Sequence, residues 1–232
     1  MRTLQLDAGF TEYANGSVLV SCGRTKVLCT AMVEESVPRF LLNTGSGWVT
    51  AEYNMLPSST PNRSAREGRR GGVRGRTSEI QRLIGRSLRA AVDLDKLGQR
   101  TVYLDCDVLQ ADGGTRTASV NGAFSALYAA CSGLVSRGII EEHPVFRVIG
   151  AVSVGIVNGK VNVDLDYGMD SSAEVDMNVV MDESGRLIEI QGTAEITPFS
   201  RNKLNEMVNA AWKVISKIIK KQKKLLNIHE KH

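Results

Sequence analysis

A strand-like run from Val102 to Leu109 stops at Asp112-Gly113-Gly114-Thr115-Arg116-Thr117, and a small-residue helical run begins at Ala118. Two adjacent glycines let the backbone turn tightly and expose its N–H groups. Thr115 and Thr117 add hydroxyls, Arg116 adds a guanidinium, and all three sit at a helix N-terminus. Free amides and the helix dipole there favour an anion. A Gly-Gly corner ahead of a helix also serves as a plain turn, so its use depends on the segments around it.

Those segments divide into two strand-rich blocks. Ser17–Cys22 and Lys26–Val33 are rich in β-branched residues and joined by Gly23-Arg24-Thr25, which predicts a hairpin. Trp48–Tyr53 alternates as a further strand. Ile80, Leu83, Ile84, Leu88 and Ala91 recur at helical spacing, with Thr77 or Ser78 as the expected cap and Glu79 in the first turn. Arg100–Leu109 returns to strand, and Ala118–Val135 reads as a helix rich in Ala and Ser. A second strand cluster follows over Ile149–Val157, Lys160–Asp166, Ala173–Met181 and Leu187–Gln191, with Asn158-Gly159 and Ser184-Gly185 as turns. Ser200 is placed to cap a last helix, 200–226, whose stripe is Leu204, Val208, Ala211, Ile215 and Ile218. This order implies an α+β fold: two similar halves of mostly antiparallel β-sheet packed with α-helices.

The chain of 232 residues is long enough for one large domain or two fused halves. Cys22, Cys29, Cys106 and Cys131 lie in apolar contexts without a C-x-x-C pair, and the histidines are scattered. A zinc site is therefore not expected, and free thiols in a reducing cytoplasm are. No apolar run approaches the roughly 18 residues of a membrane span, and no hydrophobic signal region opens the chain, so no membrane partner is expected.

The formal net charge of +4 is mild, but its distribution is not. From Pro57 to Gly75 the chain is a Ser-, Pro-, Asn-, Gly- and Arg-rich basic loop with almost nothing to bury. Arg63, Arg66, Arg69, Arg70 and Arg74 lie in it. Arginine forks grip phosphate oxygens in pairs, so this loop suits a polyanion backbone, most simply RNA. A solvated loop or arginines bridging subunits fits the same residues. Arg82, Arg86 and Arg89 share a helix face, where structural ion pairing is expected and Glu79 can pair with Arg82 or Arg86. Arg76, just ahead of that helix, is the upstream arginine placed to reach a ligand.

Glu174, Asp176 and Asn178 alternate along a strand and so face one side of it, and Asp170 precedes that strand in a turn. Such carboxylates can converge on a hard cation, and magnesium suits a site completed by phosphates. An acidic solvated edge accounts for each residue singly. Asp105 and Asp107 alternate on the strand before the glycine corner, where a hydrogen-bonded structural role is expected. There is no Walker A or Rossmann glycine pattern. His143 precedes Pro144 and forms no evident Ser or Cys dyad, so histidine acid–base catalysis is not expected.

Several long runs carry a resemblance. They are Gly16-Ser17-Val18-Leu19, Gly47-Trp48-Val49-Thr50-Ala51-Glu52-Tyr53-Asn54-Met55-Leu56-Pro57 and Gly75-Arg76-Thr77 with Glu79–Arg86. Asp105–Ala118, Glu174–Val180 and Gln191-Gly192-Thr193-Ala194-Glu195 continue it. In these the chain resembles the RNase PH family of phosphate-dependent 3′-to-5′ exoribonucleases, from Leu4 to the last helix. The resemblance implies a single RNase PH domain over 1–232, of the type also seen in ribosomal protein S5 domain 2. It implies phosphate contacts from Arg76, Gly114, Thr115 and Arg116, and catalysis with Mg2+ binding at Asp170 and Asp176. Inorganic phosphate is the implied co-substrate. The RNA partner implied is a tRNA precursor, with rRNA as a further candidate, and the assembly is a homohexamer built as a trimer of dimers. The loop arginines, Arg63 to Arg74, would lie near the RNA path and subunit contacts. At its start the chain departs from the family, whose members carry a further basic Asp-Gly-Arg segment; this bears on ring contacts and RNA grip, not on the proposed site.

Two other classes compete. A non-catalytic ring subunit that only binds RNA needs the arginines but not the acidic pair. A ribosome-associated basic protein accounts for the loop and the tail lysines but leaves Asp170 and Asp176 idle.

Overall fold

The computed structural model describes residues 1–67, 72 and 75–228. In the first half, β1 (Leu4–Ala8), β2 (Gly16–Cys22), β3 (Thr25–Glu34), β4 (Trp48–Met55) and β5 (Thr101–Gln110) form one sheet in the order β1-β2-β3-β5-β4. Its pairs are antiparallel except β4 with β5, which run parallel. The parallel pair needs a crossover, which α1 (Gly75–Arg89) and the short α2 (Leu94–Leu97) supply. In the second half, β6 (Ile149–Val157), β7 (Lys160–Val163), β8 (Val175–Asp182) and β9 (Leu187–Ala194) form an antiparallel sheet in the order β7-β6-β8-β9. The architecture is α+β, as expected.

The helix α3 (Thr115–Ser136) lies between the halves, packed on β2, β3 and β5 on one side and on β6 and β8 on the other. A helix wedged between two sheets must be apolar all round, and its Val120, Phe124 and Leu127 are fully buried. Against the expectation that no apolar run reaches membrane length, it is long and apolar enough to span a membrane, but it is mostly buried here. Its one large polar core group, Asn121, donates from Nδ2 to the Ala151 carbonyl (2.9 Å) and accepts from the Ala151 amide (2.8 Å). Those groups sit where β7 is too short to pair with β6, so the side chain completes the sheet edge. The last helix, α5 (Arg201–Leu226), starts at Ser200, whose side chain accepts from the Lys203 amide (3.2 Å). Met207, Ala211, Ile215 and Ile218 form its buried stripe, while Leu204 and Val208 are only partly covered.

Several boundaries differ from expectation. α3 begins at Thr115, not Ala118, because Gly114 takes the N-cap position. α1 begins at Gly75, so Arg76 lies in its first turn; Thr77 is inside the helix and donates to Glu67 Oε1 (2.8 Å). β7 stops at Val163 because Asp164 adopts φ +65°, and Asp166 then caps the short α4 (Tyr167–Ser171). Asp170 therefore sits on a turn of helix. The four cysteines are free and buried; burial pushes the Cys22 thiol up to about 11 and Cys131 up to about 12.

Candidate active site

Gly113 (φ +74°) and Gly114 (φ +64°) are consecutive left-handed residues, a geometry that L side chains rarely adopt. They turn β5 into α3, and the Ala118 amide bonds back to the Gly114 carbonyl (3.0 Å). The first-turn amides of Thr115, Arg116 and Thr117 are those a helix N-terminus leaves open. Thr25 braces the turn from β3, its Oγ1 donating to the Gly113 carbonyl (2.7 Å) and accepting from the Asp112 amide (3.0 Å). Gly113 also lies hard against the second half: a Cβ there would be 2.5 Å from the Leu165 carbonyl oxygen and 2.6 Å from the Asp166 carbonyl carbon.

Arg2 bolts the same two segments together. Its guanidinium donates to Asp164 Oδ1 (2.7 Å from Nη2), to the Leu165 carbonyl (3.2 Å) and to the Asp112 carbonyl (2.5 Å). Its backbone amide donates to Asp164 Oδ2 (2.6 Å). Burial alone would raise the Asp164 carboxyl, but the Arg2 hydrogen bonds and charge outweigh it and hold the group below the ordinary value. Neither residue stands out in the sequence, since a lone arginine before a strand carries no pattern.

A depressed folded-state pKa gives stability that is present above the unfolded value, about 3.9, and lost as pH falls through the folded value. Removing Arg2 strands a nearly buried carboxylate, which costs about 3 kcal/mol at neutral pH. Arg2→Ala is therefore expected to lower the urea midpoint strongly at pH 7 and by less as the pH falls below the unfolded-state value of about 3.9, where the contribution of the native pair is progressively lost. Equal deficits above and below that value would show that the pair is not what the variant lost.

The site opens beside this seam. A cavity of about 830 Å³ is lined by Arg76, Glu79, Arg116, Asp170, Asp176 and Asn178. A smaller one of about 230 Å³ shares Arg76, Arg116, Asp170 and Asp176 and adds Gly114 and Thr115. The three distant segments thus converge: Arg76 from α1, the corner from α3, and the carboxylates from α4 and β8.

Three buried side-chain atoms there lack a hydrogen-bond partner among the described residues: Arg116 Nε, Asp176 Oδ1 and Gln191 Oε1. Arg116 Nε has no partner, and the guanidinium has only a long contact from Nη2 to Glu79 Oε2 (3.5 Å). Asp176 Oδ1 has none either. Burial chiefly, then the Asp170 charge, raises the Asp176 carboxyl, with Arg116 pulling the other way. An orphaned guanidinium nitrogen calls for an anion, and an orphaned carboxylate oxygen beside a second carboxylate calls for a cation. The described residues hold no cluster of three His, Cys, Asp or Glu side chains, so the pair would need oxygen ligands from elsewhere, as magnesium on a phosphate has.

The other candidates fall outside these cavities. Glu174 precedes β8 and accepts from the Gly159 amide (2.8 Å) instead of joining Asp176. Arg63 and Arg66 are exposed and line neither cavity; Arg69, Arg70 and Arg74 lie outside the described residues. Asp105 and Asp107 are half-buried on β5, both raised chiefly by burial, with Arg66 opposing the rise at Asp107. The expected Glu79 pairing within α1 is replaced: Arg86 binds Glu189 on β9, Arg89 donates to the Val49 carbonyl (2.9 Å), and Glu79 faces Arg116. The wall formed by Gln191 and Thr193 of β9 and by Glu195 just after it stands out in the sequence only as part of a matching run.

Comparison with known proteins shows the family of the chain. Residues 1–132 match the model for domain 1 of the 3′ exoribonuclease family, and residues 147–214 match that for domain 2. Ribonuclease PH of Syntrophomonas wolfei is 56% identical over 98% of this chain and 95% of its own. Ribonuclease PH of Neisseria meningitidis serogroup C is 53% identical over 98% and 94%. In fold the chain is similar to a subunit of the Archaeoglobus fulgidus exosome solved with RNA bound to the active site (TM-score 0.79, 22% identity, 95% of this chain and 88% of that one). It is also similar to rice Rrp46 (TM-score 0.76, 16% identity, 97% and 95%). With two family domains in sequence and full-length relatives above half identity, the chain belongs to the 3′ exoribonuclease family, in its ribonuclease PH group.

Proposed function

We propose that the convergent pocket is where this enzyme, a phosphorolytic 3′-to-5′ exoribonuclease acting on tRNA, carries out its reaction. The observation that carries the assignment is the shared cavity of Arg76, Arg116, the Gly114–Thr115 corner, Asp170 and Asp176. An oxygen of inorganic phosphate attacks the last phosphodiester phosphorus, the bond to the penultimate 3′ oxygen breaks, and a nucleoside diphosphate leaves. The shortened RNA ends in a new 3′ hydroxyl, whose proton comes from the attacking hydrogen phosphate, and the reverse reaction adds nucleotides from diphosphates.

Arg76 and Arg116 grip the attacking phosphate, and the open amides at the head of α3 point it in line. Little covalent work falls to the protein, so positioning and fixed charge supply most of the rate. Asp170 and Asp176 are the residues that would hold Mg2+. When bound, the ion neutralises charge on the reacting phosphoryl group and the leaving oxygen. The larger cavity leaves room beyond a phosphate for the terminal nucleotide. The arginines from Arg63 to Arg74 would extend the RNA path, and the chain would act as a homohexamer, a trimer of dimers, in the cytoplasm.

A 3′-extended tRNA incubated with and without phosphate tests the reading. Nucleoside diphosphates should appear only with phosphate; mere binding in both tubes would favour a non-catalytic ring subunit. Within the site, Arg76→Ala is expected to raise the phosphate KM about tenfold or more while leaving RNA affinity little changed. A selective loss of RNA binding would move Arg76 to the RNA path.

A further inference from the structure

Tyr53 lies on β4, only 2% exposed, in register with Cys106 of β5. Its phenol oxygen is 2.9 Å from Thr115 Oγ1, and either atom could donate. Thr115 is itself buried, lines the smaller cavity and is the first residue of α3. Arg76 and Arg116 are close enough to Tyr53 to act on its ionisation, and burial more than offsets them and keeps the phenol protonated.

The direction of that one bond decides what Thr115 can do. A threonine hydroxyl has a single proton. If Thr115 donates to Tyr53, a lone pair is left for the cavity and repels an anion. If Tyr53 donates to Thr115, the threonine proton is free for a phosphate oxygen, and the two bonds in series strengthen each other. A bound phosphate selects the second arrangement. Parallel pairing of β4 with β5 places the phenol there, because β5 runs directly into the corner that ends in Thr115.

We propose that Tyr53 is a positioning residue for the attacking phosphate: its phenol donates to Thr115 Oγ1 and so commits the Thr115 proton to a phosphate oxygen. This rests on the reading that the glycine corner holds phosphate. The residue never touches the reacting atoms; it orients one that does.

The test uses Tyr53→Phe, Thr115→Val and the double variant in the full-length enzyme, with phosphate and RNA varied separately. Tyr53→Phe should raise the phosphate KM about fivefold, with kcat and the RNA KM changed less than about twofold. Thr115→Val should raise it by at least as much. The double variant should be no worse than Thr115→Val alone, since the tyrosine has nothing left to orient. A lower folded fraction would reduce apparent kcat and leave the phosphate KM unchanged, so the split separates positioning from simple packing. The proposal is overturned if Tyr53→Phe leaves the phosphate KM unchanged while Thr115→Val raises it, or if the two effects multiply in the double variant. If neither Thr115→Val nor Arg116→Ala alters phosphate use, the phosphate reading of the corner fails instead.

Discussion

Asp176→Asn is expected to lower phosphorolysis by about 100-fold or more while the chain stays folded, by analogy with removing one preorganised electrostatic group. The change keeps the shape of the side chain and replaces an anionic oxygen with a neutral amide. Asp176 Oδ1 is buried without a hydrogen-bond partner among the described residues and feels the Asp170 charge, so the native protein carries this carboxylate at a cost. The amide should therefore melt slightly higher than the native protein when both are measured in EDTA. Lower activity with higher stability is the pattern of a group kept for chemistry. Nucleoside diphosphate release and thermal melting on one preparation read both; phosphorolysis at the native rate would remove Asp176 from the mechanism.

Gly113→Ala is expected to cost about 3 kcal/mol, combining the left-handed backbone penalty with overpacking. For a chain of this length each kcal/mol shifts the melting temperature by roughly 2–4 °C. The clash cannot be relieved by a rotamer, because the atoms met at 2.5 and 2.6 Å are backbone of Leu165 and Asp166. Either the corner or the turn leading to Asp170 has to move, so phosphorolysis should fall with stability. A melt within about 2 °C of the native protein would mean that the two segments separate easily.

Much of this was legible from residues alone. Strand patterns and hairpin turns gave most of both sheets because alternation reports directly which face is buried. The glycine corner declared itself because Gly-Gly before a helix restricts the available geometry, whereas alternation along the strand grouped Asp176 with Glu174, which the fold turns to the Gly159 amide. What stayed hidden depends on contacts between distant segments. Arg2 has significance only through Asp164 and Asp112, far along the chain. Glu79 was paired with its helix neighbours, the local choice, whereas the fold turns it to Arg116 and gives Arg86 to Glu189. The start of α3 was set three residues late because Thr, Arg and Thr look like a loop until Gly114 is seen to cap them.

The seam at Gly113 and Arg2 has a mechanical consequence. The proposed anion-gripping groups are mounted on one module and the proposed metal-holding acids on the other, and the two modules meet backbone to backbone at Gly113. Their separation is thus a dimension of the whole body, set by how the two modules lean on the helix they share. An alteration deep in that shared support, well away from any reacting atom, would detune the chemistry by changing the gauge across the gap.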